Sequence, residues 1–287
     1  MPNVSIVIPT FNRARLVTHA IETALNQTHP CEVVLCDHGS RDETSAVAAR
    51  YAGRIRYIRR EEDHGPVACW MDGIAQASGE YVHITYDDDW LEPTFVERCL
   101  ALFRDDVGFV YSRYRICKST TDTYDLSVAN PAGIRPTPEI IFYLMRIGTT
   151  ISPGCALFRR RDAMRNLLPE VPNAQGRYGK KSGVGEDVLL FMLTAKDYPY
   201  YAHVSEPLAV FLDHPASITI NASESGKTQE LVEAYTHAKR YFLSQAPKYQ
   251  SSGPLRRLFS HWLWELSREQ RLARLARSLR RRLATRL

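Results

Sequence analysis

The strongest constraint on the fold lies in the first hundred residues, where apolar runs of strand length alternate with segments of helical spacing. VSIVI (4–8) is a continuous apolar run, as expected of a strand buried on both faces. Residues 14–26 place Leu16, Ala20, Ile21, Ala24 and Leu25 on one helical face. EVVLC (32–36) predicts a second strand, and Asp42 an N-cap for a helix reaching about Tyr51. A strand over 54–59, a helix over 66–77, a strand over 80–86 and a helix over 93–104 follow. FVY (109–111) predicts a fifth strand. Strands separated by helices in this order imply a parallel sheet with helices on both faces.

Beyond residue 111 the pattern is less regular. Pro131, Pro136 and Pro138 and polar stretches predict mainly loops over 112–150. ALFRR (156–160) reads as a strand, 172–186 as a mobile Gly/Lys-rich segment, either a lid over a ligand or plain disorder, and 186–196 as a helix. Two strands are predicted at 199–204 and 208–212, then helices over 228–246 and 254–284. No repeat is visible.

The 287 residues are 44% hydrophobic and 24% charged, which excludes wholesale disorder and a disulfide mini-scaffold. No apolar run approaches the roughly 18 residues of a membrane span. The first residues read as a strand, with no basic region before the apolar run, so no signal peptide is expected and a cytoplasmic location is. The six cysteines are scattered singly with no CxxC, so spacing supports neither a zinc site nor a thioredoxin-type dithiol. They read as buried free thiols.

The net charge of +5 is concentrated at one end. Residues 251–287 hold ten arginines against two glutamates, which leaves the body slightly acidic. A nucleic-acid partner is therefore not expected of the body. In the tail, Leu255, Leu258, Phe259, Trp262 and Leu266 form an apolar stripe continued by leucines to Leu283, with arginines on the other faces. Such a helix suits a membrane interface. Peripheral contact with the cytoplasmic face of a membrane through 254–287 is the expectation, against a solvated helix, a partner protein or nucleic acid.

In an open parallel sheet, ligands bind beyond the carboxyl ends of the strands where strand order reverses. Polar clusters follow three strands on that edge: Pro9-Thr10-Phe11-Asn12, Asp37-His38-Gly39-Ser40 and Asp87-Asp88-Asp89. Three successive carboxylates repel one another unless a cation or hydrogen bonds compensate. Hard oxygen ligands suit Mg2+ or Mn2+ held together with substrate phosphates. An acidic turn capping the next helix is the plainer reading. No GxGxxG and no GxxxxGK[ST] is present, so the dinucleotide and P-loop phosphate cradles are excluded.

VSIVIPTFNR, VVLCDHGSRDET and GPVACWMDGIAQASGEYVHITYDDD resemble the nucleotide-binding half of family 2 glycosyltransferases. GCALFRR (154–160), GEDVLLFML (185–193) and HPASIT (214–219) extend the resemblance over roughly residues 3–220. It implies an α/β GT-A fold, a Rossmann-like, mostly parallel sheet with helices on both faces, plus a C-terminal helical extension. It divides the chain into a nucleotide-sugar-binding half (1–110), an acceptor-binding half (111–225) and a helical region (226–287).

The implied reaction is metal-assisted transfer of a sugar, with inversion, from a UDP-, GDP- or dTDP-sugar to a sugar or lipid-linked acceptor. Cell-surface polysaccharide or glycolipid synthesis is the implied setting. Pro9, Thr10 and Phe11 would line the nucleotide pocket, Asp37 with His38 would meet the base, and Asp87 would sit near the ribose. Asp88 would bind Mn2+ or Mg2+, supported by Asp89, with His214 beside the metal or diphosphate. Asp187 of the Glu186-Asp187 pair would be the general base, where the plainer reading is that both acids complement a helix dipole.

Three departures stand out. Asp37-His38 replaces the Asp-Asp that members often carry, Trp70-Met71 replaces Arg-Asn, and the Asp-x-Asp-Asp motif reads Tyr86-Asp87-Asp88-Asp89. The departures at His38 and Trp70 keep alive a rival, a nucleotide-sugar-binding relative without transfer activity, against which the intact Asp88 and Asp187 argue. A sugar-phosphate nucleotidyltransferase would want a Gly-rich loop after the first strand, and PTFNRAR has none.

Overall fold

The computed structural model describes residues 3–119, 122–125, 131–147, 151–172, 183–214 and 228–249. Every residue of β1 (Val4–Thr10) is buried, because both faces of the strand are covered. β1 pairs in parallel with β2 (Glu32–Asp37) on one side and with β4 (Tyr81–Ile84) on the other. β3 (Arg56–Arg59) pairs in parallel with β2. Strand order 3-2-1-4 therefore reverses direction at β1, and the crevice opens where β1 and β4 end.

α1 (Val17–Leu25) and α3 (Pro66–Gln76) pack on β1 and β2. α3 lies so close that a Cβ on Gly73 would sit 2.2 Å from Val7 Cγ1. α2 is short, Thr44–Ala49. The Asp42 carboxylate predicted to cap it accepts from the Thr44 N–H at 3.0 Å.

The second half of the sheet is mixed. β9 (Ala156–Arg159) is antiparallel to both β4 and β6 (Val107–Ser119). β10 (Tyr200–Leu212) runs parallel to β6 over most of its length. The two-residue β5 (Trp90–Leu91) and β8 (Gly133–Pro136) pair antiparallel with β10, and β7 (Asp122–Asp125) with β6. The longer ladders are thus parallel and the short additions antiparallel, completing a ten-stranded α/β sheet.

Among the described residues of 112–150, loops do not dominate, contrary to the sequence expectation. β6 continues to Ser119, its half-buried Arg113 and Arg115 hiding the strand pattern; Arg115 pairs with Glu92. α5 (Thr137–Ile147) begins with Pro138 in its first turn, where a missing N–H costs nothing. It buries Ile140, Ile141, Tyr143 and Leu144. The two strands expected at 199–204 and 208–212 are one, with register shifts on either side of Pro207 absorbing the proline.

α4 (Phe95–Leu100), α6 (Arg160–Asn166), α7 (Glu186–Ala195) and α8 (Thr228–Gln245) complete the described helices. The middle of 172–186, residues 215–219 of HPASIT and the basic tail lie outside the described residues. All six cysteines are free thiols; five are buried and Cys31 is half-buried. No helix among the described residues is long and apolar enough to cross a membrane.

Candidate active site

The loops leaving β1 and β2 are locked together at the carboxyl edge. Asn12 takes a left-handed conformation (φ 55°), which asparagine tolerates. Its backbone N–H donates to Ser40 Oγ at 2.8 Å, and its side-chain oxygen accepts from the Arg41 N–H at 2.8 Å. Ala14 N–H donates to Asp42 at 3.0 Å. Gly39 sits between these contacts with φ 80°, and a Cβ there would lie 2.8 Å from the Glu61 carbonyl oxygen. Gly39→Ala is therefore expected to cost about 1–3 kcal/mol and lower the melting temperature by several degrees. An unchanged melt would show that the loop is not held in this conformation.

Pro9 and Thr10 are buried, whereas Phe11 is 41% exposed on the crevice edge. Asp37 is completely buried. Its carboxylate accepts from the Ser40 N–H at 2.8 Å and the Tyr57 hydroxyl at 2.6 Å, with Arg59 Nε at 3.7 Å. The adjacent His38 is also buried and turns toward α3, where Nε2 lies 3.2 Å from Asp72 Oδ2. Burial opposes charge on this imidazole, but Cys36 and Asp72 outweigh it and raise its pKa.

The three carboxyls after β4 occupy different environments. Asp87 accepts from Thr10 Oγ1 at 2.8 Å and from the Phe11 backbone, tying β4 to β1 at the point of reversal. Burial, reinforced by Asp88, pushes its pKa up to about 7, against the pull of Thr10 and Arg13. Asp89 accepts from the Leu212 N–H at 2.9 Å, and burial beside Asp88 drives it well above the carboxylate range. Asp88 is half-buried and pairs with His214 Nε2 at 2.8 Å. The structure thus brings His214, at the end of β10, onto the acid triplet. One imidazole and crowded carboxylate oxygens form a donor set that fits a hard divalent cation.

The two acids opening α7 part company. Glu186 is completely buried. Asp187 is half-buried, with Oδ1 accepting from the N–H groups of Gly185 at 2.9 Å and Val188 at 2.7 Å. The Tyr235 hydroxyl donates to its other oxygen at 3.3 Å. Burial outweighs these hydrogen bonds and lifts Asp187 to about 6.

Burial raises the Tyr86 phenol, and the charges of Asp187 and Asp89 both add to the rise, while Ser152 Oγ lies 3.2 Å from its hydroxyl. Trp70 packs on that ring at 5.7 Å between centroids and touches Gly183, immediately before α7. Trp70 is both core packing and a strut between α3 and the α7 turn. Tyr86 and Tyr235 are site residues that the sequence reading did not single out. Tyr235 reaches Asp187 from 48 residues away, with no local signal.

The sequence profile of glycosyl transferase family 2 matches residues 5–167. The chain belongs to glycosyl transferase family 2. An uncharacterized glycosyltransferase of Rickettsia prowazekii is 35% identical over 255 residues, 86% of this chain and 73% of its own length. The chondroitin synthase of Escherichia coli is 36% identical over 121 residues, 40% of this chain. This glycosyl transferase family 2 chain spans 18% of that synthase's length and 42% of the Bacillus subtilis relative EpsH.

Two solved structures share the fold. Staphylococcus aureus TarS 1–349 in complex with UDP-GlcNAc matches with a TM-score of 0.60 at 16% identity, over 84% of this chain and 70% of its own. The glucosyl-3-phosphoglycerate synthase of Mycobacterium tuberculosis, with Mn2+, UDP and phosphoglyceric acid, matches with a TM-score of 0.54 at 17% identity. That likeness covers 83% of this chain and 78% of the other.

Proposed function

We propose that this glycosyl transferase family 2 chain transfers a sugar from a nucleoside-diphosphate sugar to an acceptor hydroxyl, with inversion at the anomeric carbon. The observation that carries the reading is the acid triplet at the carboxyl edge, tied to β1 through Thr10 and to the end of β10, with Asp88 paired to His214 at 2.8 Å. In-line displacement needs a base for the acceptor proton and relief of charge on the departing diphosphate.

Asp187 is the base. Its Oδ1 is held by two backbone N–H groups, which fixes the carboxylate and leaves Oδ2, shared with Tyr235, to accept the proton. Glu186, buried behind it, is not placed to exchange a proton with an acceptor. Asp88 and His214 hold Mn2+ or Mg2+, with Asp87 and Asp89 supporting the set. When bound, the ion neutralises charge on the diphosphate leaving group. The exposed Phe11 edge receives the base of the nucleotide, with Asp37 and His38 buried behind it to hold the strand end. The UDP-GlcNAc, UDP and Mn2+ bound by the two structural neighbours support the donor class and the ion.

The proposed acceptor is a sugar or lipid-linked sugar in cell-surface polysaccharide or glycolipid synthesis, which the chondroitin synthase relative supports. The proposed location is the cytoplasm, peripheral to the membrane through the basic amphipathic pattern of 254–287.

Thermal unfolding with UDP, GDP, dTDP and CDP, each with and without Mn2+, tests the donor site. A ligand at a hundredfold its Kd adds about 2.7 kcal/mol, a rise of several degrees for a chain of this size. One nucleotide is expected to give that rise, and only with the metal. No rise with any nucleotide would remove the basis of the proposal. A metal-dependent rise without turnover on any sugar would favour the binding-only relative.

A further inference from the structure

Away from the acid triplet, the fold assembles a second set of metal-ligand side chains. Cys36 at the end of β2, His38 two residues on, and Cys69 in α3 are all buried. A ligand atom from each lies within 4.8 Å of the other two. We propose that these three residues form a structural site for a borderline-soft divalent cation of the zinc class, clamping the end of β2 to α3.

The geometry is close to what such an ion needs. Zn–S bonds of about 2.3 Å and Zn–N bonds of about 2.0–2.1 Å place tetrahedral ligand atoms about 3.5–3.8 Å apart. Shifts of less than about 1 Å per side chain would close the set. The outer shell is already present. Asp72 meets His38 at Nε2, 3.2 Å away, and Asp63 stands 3.7 Å from Nδ1. Whichever nitrogen binds, a carboxylate faces the other, as metal-ligating histidines ordinarily require, and the second carboxylate is at hand for the fourth position.

Nδ1 is buried and makes no well-aligned hydrogen bond, with the Cys36 thiol close to the ring and Asp63 3.7 Å away. Asp72 is neutralised by its ion pair with Arg60. Two thiolates cancel the charge of a divalent ion, so the occupied cluster could be buried without an uncompensated charge.

The site is independent of the proposed transfer reaction and rests on none of its residues except His38. Its position gives it a consequence, because Asp37 lies between two of its ligands. An ion here would stiffen the strand end that backs the proposed nucleotide site.

Full-length protein, metal-stripped under a non-thiol reductant, is titrated with Co2+ in excess Mg2+, which occupies oxygen sites. The expected result is a near-ultraviolet sulfur-to-cobalt band and tetrahedral visible bands that saturate at one ion per chain and are displaced by Zn2+. Cys36→Ser and Cys69→Ser lose these bands, and Asp88→Asn keeps them. Zn2+ at a hundredfold its Kd raises the melting temperature by about 5–10 °C.

X-ray absorption of the zinc-loaded wild type needs no variant to fold, and two sulfur ligands are expected. A spectrum with oxygen and nitrogen ligands only, or a sulfur band that survives both substitutions, would overturn the proposal. So would four titratable thiols in the denatured, unreduced chain in place of the six cysteines of the sequence, because Cys36 and Cys69 would then be a disulfide.

Discussion

Asp88→Asn is expected to lower kcat by about a thousandfold while leaving a folded protein that still binds the nucleoside. Asn keeps an oxygen to accept from His214 Nε2, so the 2.8 Å contact has a substitute and β10 stays anchored beside the triplet. What disappears is the charge. Several kcal/mol of transition-state stabilisation are at stake at such a position, and about 4 kcal/mol is a thousandfold in rate.

The loss separates from simple unfolding because Asp87 and Asp89 carry the structural contacts, to Thr10 and to the Leu212 backbone. Two measurements check it: single-turnover sugar transfer, and Mn2+ binding followed by electron paramagnetic resonance in the presence of nucleotide. Both should weaken together. A variant within tenfold of wild-type turnover would take Asp88 out of the metal site. Wild-type Mn2+ affinity in the inactive variant would give it a different role.

The edge that carries this prediction was largely legible in the sequence. The continuous apolar runs around Val4–Thr10 and Glu32–Asp37 can only be strands covered on both sides, and the polar residues after them must then share one edge. Legibility fails where partners are distant. Arg115 makes β6 look like loop because the group that pairs with it, Glu92, lies in another segment. Pro138 suggests a break but starts a helix, since only the first turn spares its missing N–H.

In the site, residue chemistry alone leaves Glu186 and Asp187 as a pair, and the family resemblance is what picks out Asp187. The distinction between a buried and a reachable carboxylate depends on how α7 rotates against its neighbours. Cys36 and Cys69 show the same limit. Spacing rules for metal ligands see only neighbours in sequence, whereas these two thiols, 33 residues apart, meet because α3 packs on β2.

Asp187→Asn separates the two roles open to that residue. As a cap, its task is to accept from the Gly185 and Val188 N–H groups, which an amide oxygen does nearly as well. As a base, it must take a proton, which an amide cannot. The variant is therefore expected to melt no lower than wild type at pH 7 and to lose about 10²–10⁴-fold in kcat, with the KM for the donor unchanged.

The pH profile adds an independent check. Burial raises Asp187 to about 6, and the base must be ionised to act. Wild-type kcat should hold above that value and fall about tenfold from pH 7 to pH 5, and the variant should lack this limb. Stability moves the opposite way. A carboxyl whose folded pKa is raised binds its proton more tightly when folded, so its contribution is greatest below the unfolded value and declines as pH rises to about 6. Asn removes that decline, so the melting temperatures of variant and wild type should diverge in the variant's favour as pH rises from 4 to 7. Wild-type kcat in Asp187→Asn, with loss of stability only in Asp187→Ala, would make the residue a helix cap, and the base would have to be sought elsewhere.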